Sequence, residues 1–371
     1  MALYCHICGE TQKRQLKLSN IPKISRVSIA LLLLGLVLGA AIPLIWFSQA
    51  AVSPATPQSS PPSSDILVFR LDDISDSYKS SIMPFLTFAL NNNIKLTLAV
   101  IVGDLNDKDI VNVVESGVQK GIFEVAVHGW HHEDLTAPGT NVIDILQRSI
   151  TKLHTLFPGA NVTTVITPYQ AVNDHVLDAG HASGLTFVSG DLFYGEPFDR
   201  ADGMRYRPAT VGTAWIDYAA GAWYQVDLPT IKSDIALAMQ AYGHAIVLMH
   251  PQQYETAGNF DQTKLNELEQ LMEWAQPRMT LLRIQDLNSV MLGPITIRVN
   301  LFATGALRAI VLAKQVASLH TQTNQSVSVL NQAEQEFNMG IQYSASNQYN
   351  DAISQYRLAS HDADESMQLL Q

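Results

Sequence analysis

Two adjacent carboxylates end a strongly apolar stretch of this sequence. Residues 68–71, Val-Phe-Arg-Leu, have the β-branched and aromatic composition of a buried strand and lead directly into Asp72 and Asp73. Neighbouring anions at the end of a buried strand repel each other and lose hydration, so they need a positive partner. A divalent metal ion is the usual partner.

Two histidines supply matching ligands further along the chain. His128 and His132 stand four residues apart directly after the apolar run 123–127, and two imidazoles at this spacing can bind one ion. We therefore predict a site for Zn²⁺ or a similar divalent metal. The alternative is a hydrogen-bonded polar cluster at a strand end that holds no metal.

The elements that position these residues alternate between short apolar runs and amphipathic stretches. This rhythm predicts parallel strands joined by helices, in an α/β fold whose sheet forms a closed or nearly closed (β/α) barrel. The predicted strands cover residues 66–71, 96–102, 123–127, 162–167, 185–189, 245–249 and 279–284.

Polar residues follow many of these strands. Because parallel strands bring their C-terminal ends to one rim, side chains far apart in the sequence should meet there. The residues concerned are Asp72, Asp73, His128, Tyr169, Asp191 and His250.

The composition excludes some functions and bounds the size of the fold. The 371 residues are 47% hydrophobic, enough for one large domain with appendages. The formal net charge of −11, with basic clustering only at the N-terminus, argues against nucleic acid as a partner. The two cysteines, Cys5 and Cys8, form no disulfide framework and lack the second pair that a zinc ribbon needs.

The N-terminal region predicts a membrane anchor. Basic residues within 9–26 precede residues 27–47, which carry no charge and would span about 30 Å as a helix. We expect 1–26 in the cytoplasm, 27–48 as a single-pass transmembrane helix, 49–64 as a Pro/Ser-rich linker, and the remainder outside the cytoplasm. A cleaved signal peptide is the alternative.

The rest of the chain divides into a barrel, residues 65–295, and a helical region, residues 296–371. Within the barrel, residues 201–228 break the strand and helix rhythm; their aromatic side chains could stack on a sugar ring or cover a barrel edge. In the helical region, Gly340, Tyr343, Ala352, Tyr356 and Ala359 have the spacing of one tetratricopeptide-like hairpin. We expect this region either to dock a protein partner or to pack on the barrel.

The ordered motifs resemble a known family. Leu-Asp-Asp at 71–73, His-Gly-Trp-His-His at 128–132, Thr-Pro-Tyr at 167–169 and Leu-Met-His at 248–250 resemble the polysaccharide deacetylases with the NodB-homology barrel, carbohydrate esterase family 4. The resemblance covers residues 65 to about 290 and neither appendage.

The resemblance implies metal-assisted amide hydrolysis and a role for each motif. Asp73, His128 and His132 would bind the metal, and Asp72 would be the general base. The backbone N–H of Tyr169 would stabilise the oxyanion, and His250 would protonate the leaving amine. His131 is expected to be an exposed neighbour of the ligands.

Two positions depart from the family pattern. Ile166 stands where the family has an arginine that pairs with the base, and we predict that Arg70, on the same side of its strand as Asp72, replaces it. In the fourth motif Asp191 remains but the family's Asp-Trp ending is absent, so Asp191 could still orient a catalytic histidine.

These expectations combine into one functional hypothesis. The chain is expected to be a membrane-anchored, metal-dependent hydrolase that removes N-acetyl groups from cell-surface or extracellular glycans. One alternative keeps the metal site but hydrolyses an O-acetyl ester or another C–N bond. The other is a catalytically inactive carbohydrate-binding barrel whose helical tail recruits partners, a reading that the missing arginine favours.

Overall fold

Residues 65–370 are described by the structure, a computed structural model. The segments predicted as cytoplasmic, transmembrane and linker, together with Cys5 and Cys8, lie outside the described residues. The anchor therefore stays a prediction from the sequence.

The strands predicted from apolar runs are present, together with several shorter ones. Strands β1 to β14 are, in chain order, Ile66–Ile74, Leu96–Val100, Phe123–Val127, Thr164–Ile166, Phe187–Ser189, Phe198–Asp199, Arg205–Tyr206, Val211–Gly212, Ala214–Asp217, Ala222–Gln225, His244–Met249, Glu255–Thr256, Asn259–Phe260 and Thr280–Leu282.

Helices connect the main strands and form the C-terminal region. Helices α1 to α9 are Lys79–Asn91, Lys108–Gln119, Val142–Leu156, Asp174–Ala182, Leu228–Tyr242, Gln262–Ala275, Ile295–Ala317, Asn324–Ala345 and Tyr349–Gln368. Several begin at a side-chain cap, such as Asp107 before α2, which accepts from the N–H groups of Asp109 and Ile110.

The main sheet is largely parallel and follows the order β6-β7-β5-β4-β3-β2-β1-β11-β8, with β14 beside the first half of β1. β1 lies between β2 and β11, and eight of its nine residues are buried. Fully buried apolar strands with helices outside are typical of parallel sheets. All the long strands therefore end at one edge.

The sheet curls into a half-barrel, so the prediction of a parallel α/β architecture is confirmed while closure into a ring is not. Its outer strands, β6 and β8, do not pair with each other among the described residues. The strands between residues 198 and 212 are two residues long, too short to complete a full barrel wall.

The segment after β8 is an aromatic hairpin rather than an irregular excursion. β9 and β10 pair antiparallel, and the rings of Trp215 and Tyr224 stack with centroids 4.4 Å apart. Trp215 also packs against the core of the C-terminal helices. Trp215 thus covers part of the apolar core of the C-terminal helices.

Helices α7, α8 and α9 pack together around their own apolar core and against the half-barrel. Gly340 of α8 lies against the ring of Tyr356 on α9, where a Cβ would stand 2.5 Å from the ring. This close contact agrees with the predicted hairpin, although α7 makes the group a three-helix unit and a tetratricopeptide identity is not confirmed. Packing on the half-barrel is visible in the ion pair between Arg308 of α7 and Asp234 of α5.

Among the described residues, one helix, α7, has the length and apolar composition of a membrane span. Its side chains Phe302, Ala306, Ile310 and Ala313 are buried in the helical core, and 28% of its most apolar 18-residue stretch is buried inside the protein. A cavity of about 320 Å³ lies between this helix, α9 and the strands β8 and β11.

Candidate active site

An irregularity in β1 brings both aspartates to the site. Successive strand residues normally point to opposite faces. The register between β1 and β2 shifts between Leu71 and Ile74, and Asp73 has a left-handed backbone with φ of 61°. This bulge lets adjacent carboxylates serve one rim.

A tight turn after β3 presents the two histidines. Gly129 has φ of 74°, and a Cβ there would stand 2.8 Å from the Glu133 carboxylate. That carboxylate accepts from the N–H groups of Trp130 and His131 at 2.8 and 3.0 Å. The turn needs glycine and returns the chain so that His132 faces the same point as His128.

The three predicted metal ligands converge. Asp73 Oδ1 lies 3.2 Å from His128 Nε2 and 3.3 Å from His132 Nε2. Ligand atoms held about 2.1 Å from a tetrahedral ion are about 3.4 Å apart, close to the observed distances. Asp73 is 8% exposed and His128 is 1% exposed, so the donor set is enclosed on its protein side.

Hydrogen bonding orients His128 for metal binding. Its Nδ1 lies 2.8 Å from the carbonyl oxygen of Ile166 and must donate to it, because a carbonyl can only accept. In the neutral ring, Nε2 then presents a lone pair toward the Asp73 carboxylate. Two lone pairs facing each other require a cation or a proton between them, so this donor set fits a divalent metal.

Gln252 completes the surroundings of Asp73. Its Nε2 donates to Asp73 Oδ2 at 2.8 Å, leaving Oδ1 for the histidines. The residue lies in the 3₁₀ turn Pro251–Tyr254, which follows β11. It therefore orients the carboxylate in the way that outer residues orient metal ligands.

Arg70 lies against Asp72, as its position two residues earlier on β1 predicted. Its Nε donates to Asp72 Oδ1 at 2.8 Å, and one terminal nitrogen donates to Oδ2 at 2.5 Å. Both side chains are fully buried. The guanidinium is further fixed by Ser189 Oγ, the Gly190 carbonyl and Gln170 Oε1, at 3.0, 2.9 and 2.7 Å.

The electrostatics keep both carboxylates ionised. Burial opposes ionisation of Asp72, but Arg70, His128 and His250 outweigh it, so the pKa of Asp72 lies below its ordinary value. Burial also opposes ionisation of Asp73, yet its contacts with His128 and His132 hold its pKa well below the ordinary value. For His128, burial is outweighed by Asp73 and Asp72, and its pKa is raised.

The turn after β4 adds Tyr169 and Gln170, which have consecutive left-handed conformations with φ of 57° and 59°. The Tyr169 ring is 65% exposed and packs edge-on against His132, with centroids 4.6 Å apart. Gln170 bridges the buried pair, because its Oε1 accepts from Arg70 and its Nε2 donates to Asp72 at 3.1 Å.

Left-handed backbone is concentrated at this rim. Of the seven described non-glycine residues with positive φ, four belong to the site: Asp73, His132, Tyr169 and Gln170. Such conformations cost on the order of 1 kcal/mol or more each and persist where surrounding structure enforces them. Their clustering indicates a site shaped for a ligand.

His250 follows β11 and approaches the same rim. Its ring packs against Trp223 of the aromatic hairpin, with centroids 4.7 Å apart, and its Nδ1 is buried without a hydrogen-bond partner among the described residues. Burial lowers the pKa of His250, partly offset by Asp73 and Asp72. His250 Nδ1 is therefore available to a polar group of a ligand.

Two other sequence candidates lie apart from the ligand cluster. His131 is exposed, as predicted, and its Nδ1 contacts Asp104 Oδ1 at 2.7 Å. Asp191 Oδ1 accepts from the Phe193 N–H at 2.8 Å and makes no hydrogen bond to a histidine within residues 65–370. Burial raises the pKa of Asp191 to about 7. The expected role of Asp191 in orienting a catalytic histidine is therefore not supported by a contact.

The sequence reasoning missed two amides, Gln170 and Gln252. Gln170 stands directly after the Thr-Pro-Tyr motif, and Gln252 stands two residues after His250. Their proximity to recognised motifs was a usable signal. A glutamine in a polar loop has no further feature that distinguishes it from its neighbours.

Fold and site together define a class: an α/β half-barrel whose rim presents an Asp-His-His donor set beside an Arg-paired carboxylate. The polysaccharide deacetylase family model matches residues 60–188, about one third of the chain, and includes the aspartates, both histidine ligands and Tyr169. The predicted resemblance is confirmed by this match, and the family consists of hydrolases acting on carbon–nitrogen bonds other than peptide bonds. No curated protein matches the sequence.

Several solved structures are similar to this chain. A 4-α-glucanotransferase from Thermococcus litoralis has 12% identity and a TM-score of 0.46, over 60% of this chain and 40% of that one. A protein from Mycobacterium smegmatis that is assigned as a polysaccharide deacetylase has 15% identity and a TM-score of 0.46, over 63% of this chain and 93% of that one. A family 4 carbohydrate esterase from Streptomyces lividans has 16% identity and a TM-score of 0.38, over 62% and 98%.

Proposed function

We propose that this chain is a metal-dependent deacetylase that hydrolyses N-acetyl groups on an extracellular or cell-surface glycan. The observation that carries the proposal is the convergence of Asp73, His128 and His132 within 3.3 Å contacts beside the buried Asp72. The family match supports the same reaction class.

The ligands of the ion would be Asp73, His128 and His132. A divalent metal bound there would supply an acidified water and polarise the acetyl carbonyl. Gln252 holds Asp73 in place, and the Ile166 carbonyl holds the His128 ring in the tautomer that directs Nε2 inward. These contacts preorganise the donor atoms before any ligand binds.

Asp72 is the proposed proton acceptor. Its carboxylate is kept ionised by Arg70 and is therefore ready to accept a proton from the attacking water. Arg70 and Gln170 donate hydrogen bonds to the two oxygens of Asp72. When Asp72 accepts a proton, its ion pair with Arg70 weakens, and the guanidinium stays beside the carboxyl group.

His250 and Tyr169 complete the proposed chemistry. His250, whose ring packs against Trp223, would deliver a proton to the leaving amine. The backbone N–H of Tyr169, in the left-handed turn, would stabilise the developing oxyanion. The exposed Tyr169 ring and Trp223 offer apolar faces for a sugar at the rim.

Location is the second part of the proposal. The uncharged residues 27–47, preceded by basic residues, support an anchor that leaves the half-barrel outside the cytoplasm. Resistance of the full chain to alkaline extraction from membranes, lost on deleting residues 27–47, is the expected result; extraction of the intact chain would contradict the anchor.

The reaction is tested by acetate release from N-acetylglucosamine oligomers and, in parallel, from O-acetylated xylan. The metal-loaded chain is compared with Asp73→Ala and with the matched control His131→Ala, which removes an exposed histidine outside the donor set. We expect release from the amide substrate by the native chain and the control only. Release from the ester alone would support the esterase alternative, and carbohydrate binding without any release would support the inactive barrel.

A further inference from the structure

A second group of ligand-type side chains lies in the C-terminal helices, away from the half-barrel rim. His361, Asp362 and Glu365 of α9 offer one nitrogen and two carboxylates whose ligand atoms lie within 4.8 Å of one another. Glu365 stands three residues after Asp362 and four after His361, so it shares a helix face with each of them. Nothing in the proposed reaction uses these residues.

A buried carboxylate from the neighbouring helix lies against Asp362 of this group. Glu336 of α8 is 7% exposed, and its carboxyl lies against that of Asp362, which is also 7% exposed. Glu336 Oε1 accepts from Gln332 Nε2 at 3.2 Å, whereas Oε2 is buried and has no hydrogen-bond partner among the described residues. A buried oxygen without a donor is costly unless another ligand satisfies it.

Within residues 65–370, no lysine or arginine forms an ion pair with this group, and the imidazole of His361 contacts Asp362 at 3.3 Å. Helices α8 and α9 contain six acidic residues and a single basic one, Arg357. Arg357 donates to the backbone carbonyls of Phe193 and Tyr194 instead of to the acidic group. On the adjacent α7, Lys314 pairs with Glu334.

We propose that Glu336, His361, Asp362 and Glu365 form a second divalent metal site that ties α8 to α9. One imidazole and three carboxylates suit Zn²⁺ or Mn²⁺. The ligand atoms of His361, Asp362 and Glu365 lie within 4.8 Å of one another, and Glu336 adjoins them through Asp362. Ligands about 2.1 Å from a tetrahedral ion are about 3.4 Å apart, so binding would draw the three together by up to about 1.4 Å. Exposed side chains such as His361 can make that adjustment.

The proposed role is structural. An ion bridging α8 and α9 would stabilise the hairpin that packs on the half-barrel, since a ligand that binds only the folded state raises its stability. His361 also contacts Phe193, whose backbone carbonyl accepts from Arg357, so the ion would lie beside the contact between tail and half-barrel. The inference does not depend on the chemistry proposed for the rim.

The full chain, stripped with a chelator and reloaded with Zn²⁺ or with Mn²⁺, tests the proposal by metal content and thermal unfolding. We expect two ions per chain in the native protein and in Glu334→Gln, a matched control on α8 outside the group. Glu336→Gln/Glu365→Gln is expected to retain one ion, and Asp73→Asn is expected to retain the other. The metal-induced rise in Tm should persist in Asp73→Asn.

Several outcomes overturn the proposal. One ion per chain in the native protein, lost on Asp73→Asn, would assign all binding to the rim. Two ions in Glu336→Gln/Glu365→Gln would place the second ion elsewhere. A higher Tm for metal-free Glu336→Gln, together with a single ion in the native chain, would mean that Glu336 and Asp362 share a proton instead.

Discussion

Replacing Arg70 with methionine tests the electrostatic core of the site. Methionine fills much of the same volume but removes the donors that contact Asp72, Ser189, Gly190 and Gln170. Asp72 would remain fully buried with only the Gln170 amide as partner. Breaking a buried ion pair in this way typically costs about 3–5 kcal/mol, since one charge stays uncompensated.

The protonation of Asp72 should change together with stability. Without Arg70, burial is the dominant influence and raises the pKa of Asp72, so the carboxyl becomes neutral at higher pH. Activity in Arg70→Met should fall by about 10²–10⁴-fold at neutral pH, the usual loss when a general base is removed. Partial recovery at alkaline pH should follow as the carboxyl ionises.

The pH dependence of stability follows from the lowered pKa of Asp72 in the native chain. A group whose folded pKa lies below its unfolded value of 3.8 stabilises the fold above that pH, and the contribution is lost as the pH falls through the folded pKa. The difference in unfolding free energy between native chain and Arg70→Met should therefore be largest at neutral pH. It should start to shrink as the pH falls through the raised pKa of Asp72 in Arg70→Met, and shrink further below pH 3.8, where the native chain loses its own contribution.

Urea unfolding and acetate release together check this reasoning. The double variant Arg70→Met/Asp72→Asn should regain part of the lost stability because no buried charge remains, yet it should stay inactive. Arg70→Lys keeps the charge but not the two-pronged contact and should fall between the native chain and Arg70→Met. Unchanged urea midpoint and activity in Arg70→Met would refute the role assigned to the pair.

Three further predictions concern neighbouring contacts. Asp73→Ala should lose the rim metal and reduce acetate release to background, whereas His131→Ala should retain both; metal content and release measure this. Gln170→Ala removes the hydrogen bonds to Asp72 and to Arg70 and should cost about 1–3 kcal/mol of stability, with a smaller activity loss than Arg70→Met, measured by the same assays. Asp191→Asn should stabilise the fold above pH 7. The pKa of Asp191 is about 7 in the folded chain and 3.8 in the unfolded chain, so ionising this carboxyl destabilises the fold by at most about 4 kcal/mol. The partial exposure of Asp191 makes the effect smaller. This gain should decline as the pH falls from 7 to 4, and a gain independent of pH would contradict it.

The sequence was sufficient to bring together residues from distant parts of the chain. Asp73, His128 and His250 each follow an apolar run, and parallel strands must end at a common edge. Arg70 was predictable for a similar reason, because residues two apart on a strand lie on one side. These inferences need only strand direction and periodicity.

Other features depend on tertiary geometry that composition does not encode. The bulge that turns both Asp72 and Asp73 toward the site is visible only in the pairing of β1 with β2. Gln252 reaches Asp73 from a 3₁₀ turn that has no distinctive pattern. Closure of the sheet depends on the two-residue strands β6, β7 and β8, whose lengths periodicity cannot determine.

The relocated arginine explains how the site can tolerate Ile166. In the family pattern a cation at that position pairs with the base, whereas here the Ile166 side chain is buried in an apolar cluster and its carbonyl orients His128. The base requires a buried cation in contact, and Arg70 meets that requirement from its own strand. Ser189 at the end of β5 and Gly190 after it accept hydrogen bonds from the guanidinium and hold it beside Asp72. The departure in the third motif is therefore compatible with a working base.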